Sequence, residues 1–157
     1  MFAAPGEAIN GKSVREIADR WKAQIDQPFL PRDVNRFDTS LIPVLLTQDI
    51  RFRGSLGQTK NGHFEFAEYV NFIRRTDFTN EIEEFISEGD KAFARLTYRG
   101  THRGKLFGIA ATGRRIEYAG AALFSFRGAK IAEVWVLGDI YGLISQLRSA
   151  AGEDPGR

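Results

Sequence analysis

Two stretches of this sequence hold side chains whose types and spacing suit chemistry. One is Trp135-Val136-Leu137-Gly138-Asp139, an apolar run that ends in a lone acid. The other is Gly100-Thr101-His102-Arg103-Gly104, which carries one of the chain's two histidines with a hydroxyl beside it. A carboxylate at a strand-to-helix junction serves either as a helix cap or as the working acid of a pocket. Histidine titrates near neutrality and can act as acid or base. At a strand end, the same Thr101 and His102 can instead bond to nearby backbone.

Residues 91–99 separate into two alternating sets. Ala92, Ala94, Leu96 and Tyr98 form one, and Phe93, Arg95, Thr97 and Arg99 the other. Turned toward a cavity, the second set makes Arg95 a cation able to hold a carboxylate, an enolate or a carbonyl oxygen. Turned toward solvent, Arg95 and Arg99 are surface charge. Arg95, Arg99, Arg103, Lys105, Arg114 and Arg115 form a basic cluster, preceded by Glu81, Glu83, Glu84, Glu88 and Asp90. Cross-strand pairing between the two groups accounts for the cluster without a nucleic-acid partner.

These residues need elements to position them. Ser13-Val14-Arg15-Glu16 matches a capping box and predicts a helix with Val14, Ile17, Ala18, Trp21 and Ile25 on one stripe. Pro28 and Pro31 end it. A second helical piece is expected near 36–47, although Pro43 lies inside it. Asp49 to Arg53 alternates as a short strand, and Gly54 to Gly62 reads as loop. Phe66, Tyr69, Val70 and Ile73 fall at helical spacing. Strand patterns then follow over 80–88, 91–102, 115–127 and 130–137, with turn signals between them. Asp139 suits the N-cap of a closing helix over 140–148.

Helices first and a long antiparallel meander afterwards predict an α+β domain. A curved sheet with helices across its concave face leaves a conical cavity, the kind of mostly apolar concavity that small molecules favour. At 157 residues one domain is expected, over 13–150, with flexible ends at 1–12 and 151–157. The 13 Phe suit either an aromatic core or the walls of a cavity. No Cys is present, which excludes disulfides and thiol nucleophiles. A net charge of +2 is too weak a field to capture nucleic acid. The two His lie far apart and make no metal site. No basic leader and no long apolar run are found, so a cytoplasmic protein with no membrane partner is expected.

From Gly89-Asp90-Lys91-Ala92-Phe93-Ala94-Arg95 through Gly100-Thr101-His102-Arg103-Gly104, Gly108 and Thr112-Gly113-Arg114, the chain resembles the SnoaL-like polyketide cyclases. Lys130-Ile131-Ala132-Glu133-Val134-Trp135, Asp139 and Gln146-Leu147 extend the resemblance. That family lies within the nuclear transport factor 2-like superfamily. The resemblance implies a cone-shaped, curved antiparallel sheet of four to six strands. About three N-terminal helices would lie over its concave face, with a short C-terminal helix. It also implies a homodimer and a pocket for a hydrophobic small molecule. The chemistry implied is cofactor-free acid-base catalysis: cyclisation, isomerisation or hydration of a carbonyl compound. Asp139 or His102 would be the acid-base, Arg95 the oxyanion partner and Tyr118 a hydrogen-bond donor, with Phe93, Phe124 and Trp135 as walls.

The chain departs from the family's pattern at three chemical positions. The acid that commonly follows the strand's Trp is Val136. The Asp that follows the matching Arg by two residues in the related epoxide hydrolases is Thr97. A polar or His residue on the neighbouring strand is Ala122. With Val136 facing the cavity, a strand of period two puts Asp139 on the other side, where it caps the helix unless the chain turns at Gly138. A non-catalytic ligand-binding or dimeric interaction module of the same fold is the alternative.

Overall fold

Strict alternation of buried and exposed residues makes 91–101 and 115–127 the centre of a sheet. In β4 (Lys91–Thr101), Ala92, Ala94, Leu96 and Tyr98 are buried. In β5 (Arg115–Arg127), Ile116, Tyr118, Ala122, Phe124 and Phe126 are buried. β3 (Thr79–Glu88) flanks β4, and β6 (Lys130–Gly138) flanks β5, so β3 to β6 form an antiparallel meander. The computed structural model describes residues 39, 42–73, 75–150 and 152. The helix expected over 14–25, its capping box and the chain ends, Gly152 excepted, lie outside the described residues.

β1 (Leu46–Arg53) lies against β6, and β2 (Thr59–Asn61) against β1, giving the order β2-β1-β6-β5-β4-β3. The sheet is curved and unclosed. It is also mixed, since β1 and β6 run parallel. A hairpin forces antiparallel neighbours, but a helix and four strands separate β1 from β6, and a long connection permits the parallel pair.

Pro43 falls in the first turn of α1 (Ile42–Leu45), where its missing N–H has no helical partner to lose. The helical piece expected over 36–47 is cut short because Leu46 and Thr47 already belong to β1, both of them buried. The segment read as loop between Gly54 and Gly62 contains β2, which forms a hairpin with β1. α2 (Gly62–Ile73) buries Phe66 and Val70 against β1. Its start is closed by Glu65, whose Oε2 accepts the Asn61 N–H at 2.6 Å. Phe66 meets Phe52 edge to face at 5.4 Å, and burying such a ring contributes about 1.5–3 kcal/mol. α3 (Ile140–Ala150) packs on β5 through Leu143 and Leu147, one turn apart and fully buried.

Candidate functional site

Three inward-facing strand positions are glycine: Gly100, Gly120 and Gly138. A Cβ at Gly100 would lie 2.6 Å from the Phe78 ring, and one at Gly120 would overlap the Tyr98 ring. At Gly138 it would lie 2.7 Å from the Ser55 carbonyl oxygen and 3.2 Å from the Tyr118 ring. The missing side chains let large aromatic rings lie down on the sheet. Tyr98 and Tyr118 are cross-strand partners whose rings stack at 4.9 Å, 26° from parallel. The Tyr118 hydroxyl lies 2.9 Å from Ser55 Oγ.

These rings floor a cavity of about 390 Å³, walled by Phe72, Phe78, Leu106 and Leu143 and roofed in part by Tyr69 of α2. Burial pushes the Tyr69 hydroxyl well above the ordinary phenol range, and Tyr118 adds to the shift. Tyr98 is raised by burial, then by Tyr118 and Tyr69. Tyr118 is raised by burial, partly opposed by its bond to Ser55. The three phenols therefore keep their protons and act as donors, not as bases.

His102 lines the same cavity and is 3% exposed. Its Nδ1 accepts the backbone N–H of Thr112 at 3.2 Å and lies 3.0 Å from Thr112 Oγ1. A backbone amide can only donate, which assigns the ring proton to Nε2. That nitrogen is buried with no partner among the described residues. An unpartnered buried donor costs about 1–3 kcal/mol, recovered when an acceptor reaches it.

Among the described residues that line the cavity, Asp77 alone is acidic. Its Oδ1 accepts the Thr101 N–H at 2.8 Å and its Oδ2 the Thr101 hydroxyl at 2.5 Å. Arg115 and Arg103 approach the same oxygen at 3.2 and 3.6 Å. Partial burial pushes the carboxyl up, but the Thr101 bonds and the two cations outweigh it and hold Asp77 below the usual range. A carboxylate so occupied is a poor proton acceptor. Arg75, Arg103 and Lys105 are the basic residues among those that line the cavity.

Of the residues singled out from the sequence, His102 and Tyr118 come together in this cavity. Ala122, Phe124 and Val136 are buried on the same face of the sheet but contribute to the core, with Ala94, Ala122 and Val136 in one cross-strand row. Arg95, Thr97, Phe93 and Trp135 lie on the outer face. Arg95 Nε is 3.4 Å from Glu84, the Thr97 hydroxyl donates to Glu83 at 2.8 Å, and Arg99 pairs with Glu81 and Glu117. Asp139 is exposed and caps α3, accepting the Gly142 N–H at 2.9 Å. Asp139 and Arg95 thus stand apart from the cavity.

Tyr69, Tyr98, Asp77 and Gln58 join the site without having been read from the sequence. The signal for Tyr98 was present: glycines at 100, 120 and 138 share its parity and mark a close approach. Among the described residues, no group of three His, Asp or Glu side chains is placed to hold a metal ion. No described helix is long and apolar enough to cross a membrane.

The model of the SnoaL-like polyketide cyclase family matches residues 29–147. The chain belongs to the SnoaL-like polyketide cyclase family. Solved structures share the fold. TsrD from Streptomyces laurentii superposes with a TM-score of 0.69 at 24% identity, over 88% of this chain and 96% of that one. A candidate SnoaL-like polyketide cyclase from Jannaschia sp. CCS1 gives 0.71 at 14% identity, over 94% and 96%. A candidate polyketide cyclase from Acidithiobacillus ferrooxidans gives 0.68 at 18%, over 90% and 98%. No curated protein matches the sequence. Within this SnoaL-like frame, Val136 follows the strand's Trp135 and is a 4%-exposed core residue.

Proposed function

We propose that this SnoaL-like protein binds a hydrophobic, polycyclic carbonyl compound and promotes its cyclisation without a cofactor. The observation that carries this reading is a cavity lined by His102, whose ring proton is on Nε2, and by the phenols of Tyr69, Tyr98 and Tyr118. Donors fixed in a water-poor site stabilise negative charge as it develops on oxygen. In an aldol closure of a β-keto ester, the α-carbon loses its proton to solvent and its enolate attacks a second carbonyl. The new C–C bond leaves an alkoxide, which is held by hydrogen bonds from His102 and the phenols and takes up the proton that the solvent received from the α-carbon, so each donor keeps its own. The aromatic walls hold the chain folded so that both carbons meet. His102 is here a hydrogen-bond donor to the developing alkoxide, and neither Asp77 nor Asp139 is needed as a base.

The engagement of Asp77 by Thr101, Arg103 and Arg115 favours a second reading, in which the cavity binds its ligand without turnover. Incubation with an anthraquinone carrying a β-keto methyl ester side chain separates the two. The catalytic reading expects cyclised product by NMR, with His102→Phe and Tyr118→Phe each slowing turnover by about 10²-fold. Binding by calorimetry with no product above the background rate establishes the second reading instead.

The partner proposed is a second copy of the chain, docked on the outer face of the sheet. Ile86, Phe93, Leu123 and Trp135 are successive cross-strand partners across four strands and are all exposed, as is Leu137. An apolar row of this kind marks an interaction surface. Sedimentation is expected to give a dimer, and Leu123→Asp a monomer that keeps its fold. A wild-type monomer at micromolar concentration removes the proposal.

A further inference from the structure

Four side chains that line the cavity lie against glycines. The Gln58 amide covers Gly54, with its Cδ 2.5 Å from where a Cβ would stand, and the Phe78 ring covers Gly100. The Tyr98 ring covers Gly120, and the Tyr118 ring borders Gly138. Each missing Cβ lets a side chain lie back from the space that a ligand would fill. Gln58 Oε1 is buried without a partner among the described residues, and the two phenols stack on each other. Phe78 is the one of the four with no polar atom in its side chain, so it can select a ligand by shape only.

Phe78 is also tied down on both sides. Its N–H donates to Thr76 Oγ1 at 3.2 Å, and that hydroxyl donates to the Ile73 carbonyl at 2.7 Å. Before it, Asp77 accepts the Thr101 N–H at 2.8 Å; after it, Thr79 pairs with Arg99 in the ladder between β3 and β4. Gly100 stands between Arg99 and Thr101, so both ties close around the glycine on which the ring lies. The three atoms nearest its missing Cβ all belong to that ring, at 2.6 to 2.7 Å. A wall so fixed does not move aside for a larger ligand.

We infer that Phe78, seated on Gly100, is the specificity-determining wall of this cavity, admitting a three-ring ligand and rejecting a linear four-ring one. The inference rests on the reading of the cavity as a small-molecule site and adds a size limit to it. At about 390 Å³ the cavity lies near the small end of the range for sites that take drug-sized molecules. A rigid polycycle that fills it has no space for a further ring while Phe78 stays on Gly100.

Calorimetry with naphthoquinone, anthraquinone and linear tetracenequinone, each carrying the same β-keto methyl ester side chain, tests this directly. Apolar area alone favours the four-ring probe. The wild-type protein is instead expected to bind the three-ring probe at least about tenfold more tightly. Phe78→Ala is expected to reverse that order. Gly100→Ala lifts the ring off the sheet, and is expected to weaken the three-ring probe about tenfold and leave the two-ring probe within about twofold. Gly100→Ala/Phe78→Ala is expected to regain the three-ring affinity, because the new Cβ no longer meets the ring it displaced. Thermal melts follow the fold of each variant, and where Gly100→Ala does not fold, the order in Phe78→Ala decides. Wild-type binding of the four-ring probe as tight as the three-ring one, or an order unchanged in Phe78→Ala, overturns the inference and leaves the pocket reading standing. Failure of all three probes to bind at millimolar concentration overturns the pocket reading and the inference with it.

Discussion

His102 and Thr112 are joined at both ends of a short loop: Thr112 donates its backbone N–H to Nδ1 at 3.2 Å, with its Oγ1 at 3.0 Å. Backbone bonds from His102 to Arg114 and from Gly113 back to His102, each 2.9 Å, close the same loop. The loop carries Arg103, Lys105 and Leu106 of the cavity, and its tip holds Phe107 at a φ of 50°, the left-handed region. The Thr112 N–H therefore sets the imidazole's tautomer, and the bonds around His102 hold the loop that carries Arg103 and Lys105.

Thr112→Val removes the hydroxyl but keeps the backbone N–H, so the ring proton stays on Nε2. The loss of one buried hydrogen bond, about 1 kcal/mol, is expected to lower thermal stability slightly and weaken binding of the anthraquinone β-keto methyl ester about fivefold. Thermal melts and calorimetry on the same preparation measure both. An unchanged affinity would show that the Thr112 hydroxyl has no part in holding the ring.

Asp139→Ala is expected to cost about 1 kcal/mol of stability, because the Gly142 N–H loses its acceptor at the start of α3. Asp139→Asn should keep most of it, since Asn caps as well as Asp. Neither should change ligand affinity or turnover. Arg95→Ala removes an exposed pair with Glu84 and is expected to shift stability by less than about 0.5 kcal/mol. A loss of turnover without loss of stability in either variant would place that side chain in the chemistry.

Burial raises the Tyr69, Tyr98 and Tyr118 phenols above the ordinary value near 10. The folded chain thus holds these protons more tightly than the unfolded one. Their contribution is complete below about pH 10 and is lost as pH rises beyond it, because the unfolded phenols ionise first. Stability is expected to be level from neutrality to about pH 9 and to fall above about 10. Tyrosinate absorbance from these three should develop together with unfolding. Their ionisation in a chain still folded by circular dichroism would contradict the buried donor set.

Much of the fold was legible along the chain. The segment 115–127 alternates in type at both ends, on either side of a small and apolar run over Ala119 to Phe124, and is β5 over those residues, and Asp139 before an amphipathic stretch begins α3. β2 was hidden because Thr59-Lys60-Asn61 has no apolar face to alternate with. The Arg95 question was framed by sequence and decided by packing: Ala92, Ala94, Leu96 and Tyr98 are the set that fits under the helices. The glutamates of β3 then meet Arg95 and Arg99 outside, the cross-strand pairing that the charge pattern implied.

The sequence by itself determined the family, the α+β class and the parity that divides each strand into two faces, because these depend on local spacing and residue type. Only the tertiary structure decided which polar groups share a cavity. His102 follows β4, Tyr118 lies in β5, Tyr69 on α2 and Asp77 before β3. They meet because sheet curvature and three glycines make room for them at one end of the sheet. The proton on His102 was settled in the same way, by a backbone N–H ten residues along the chain.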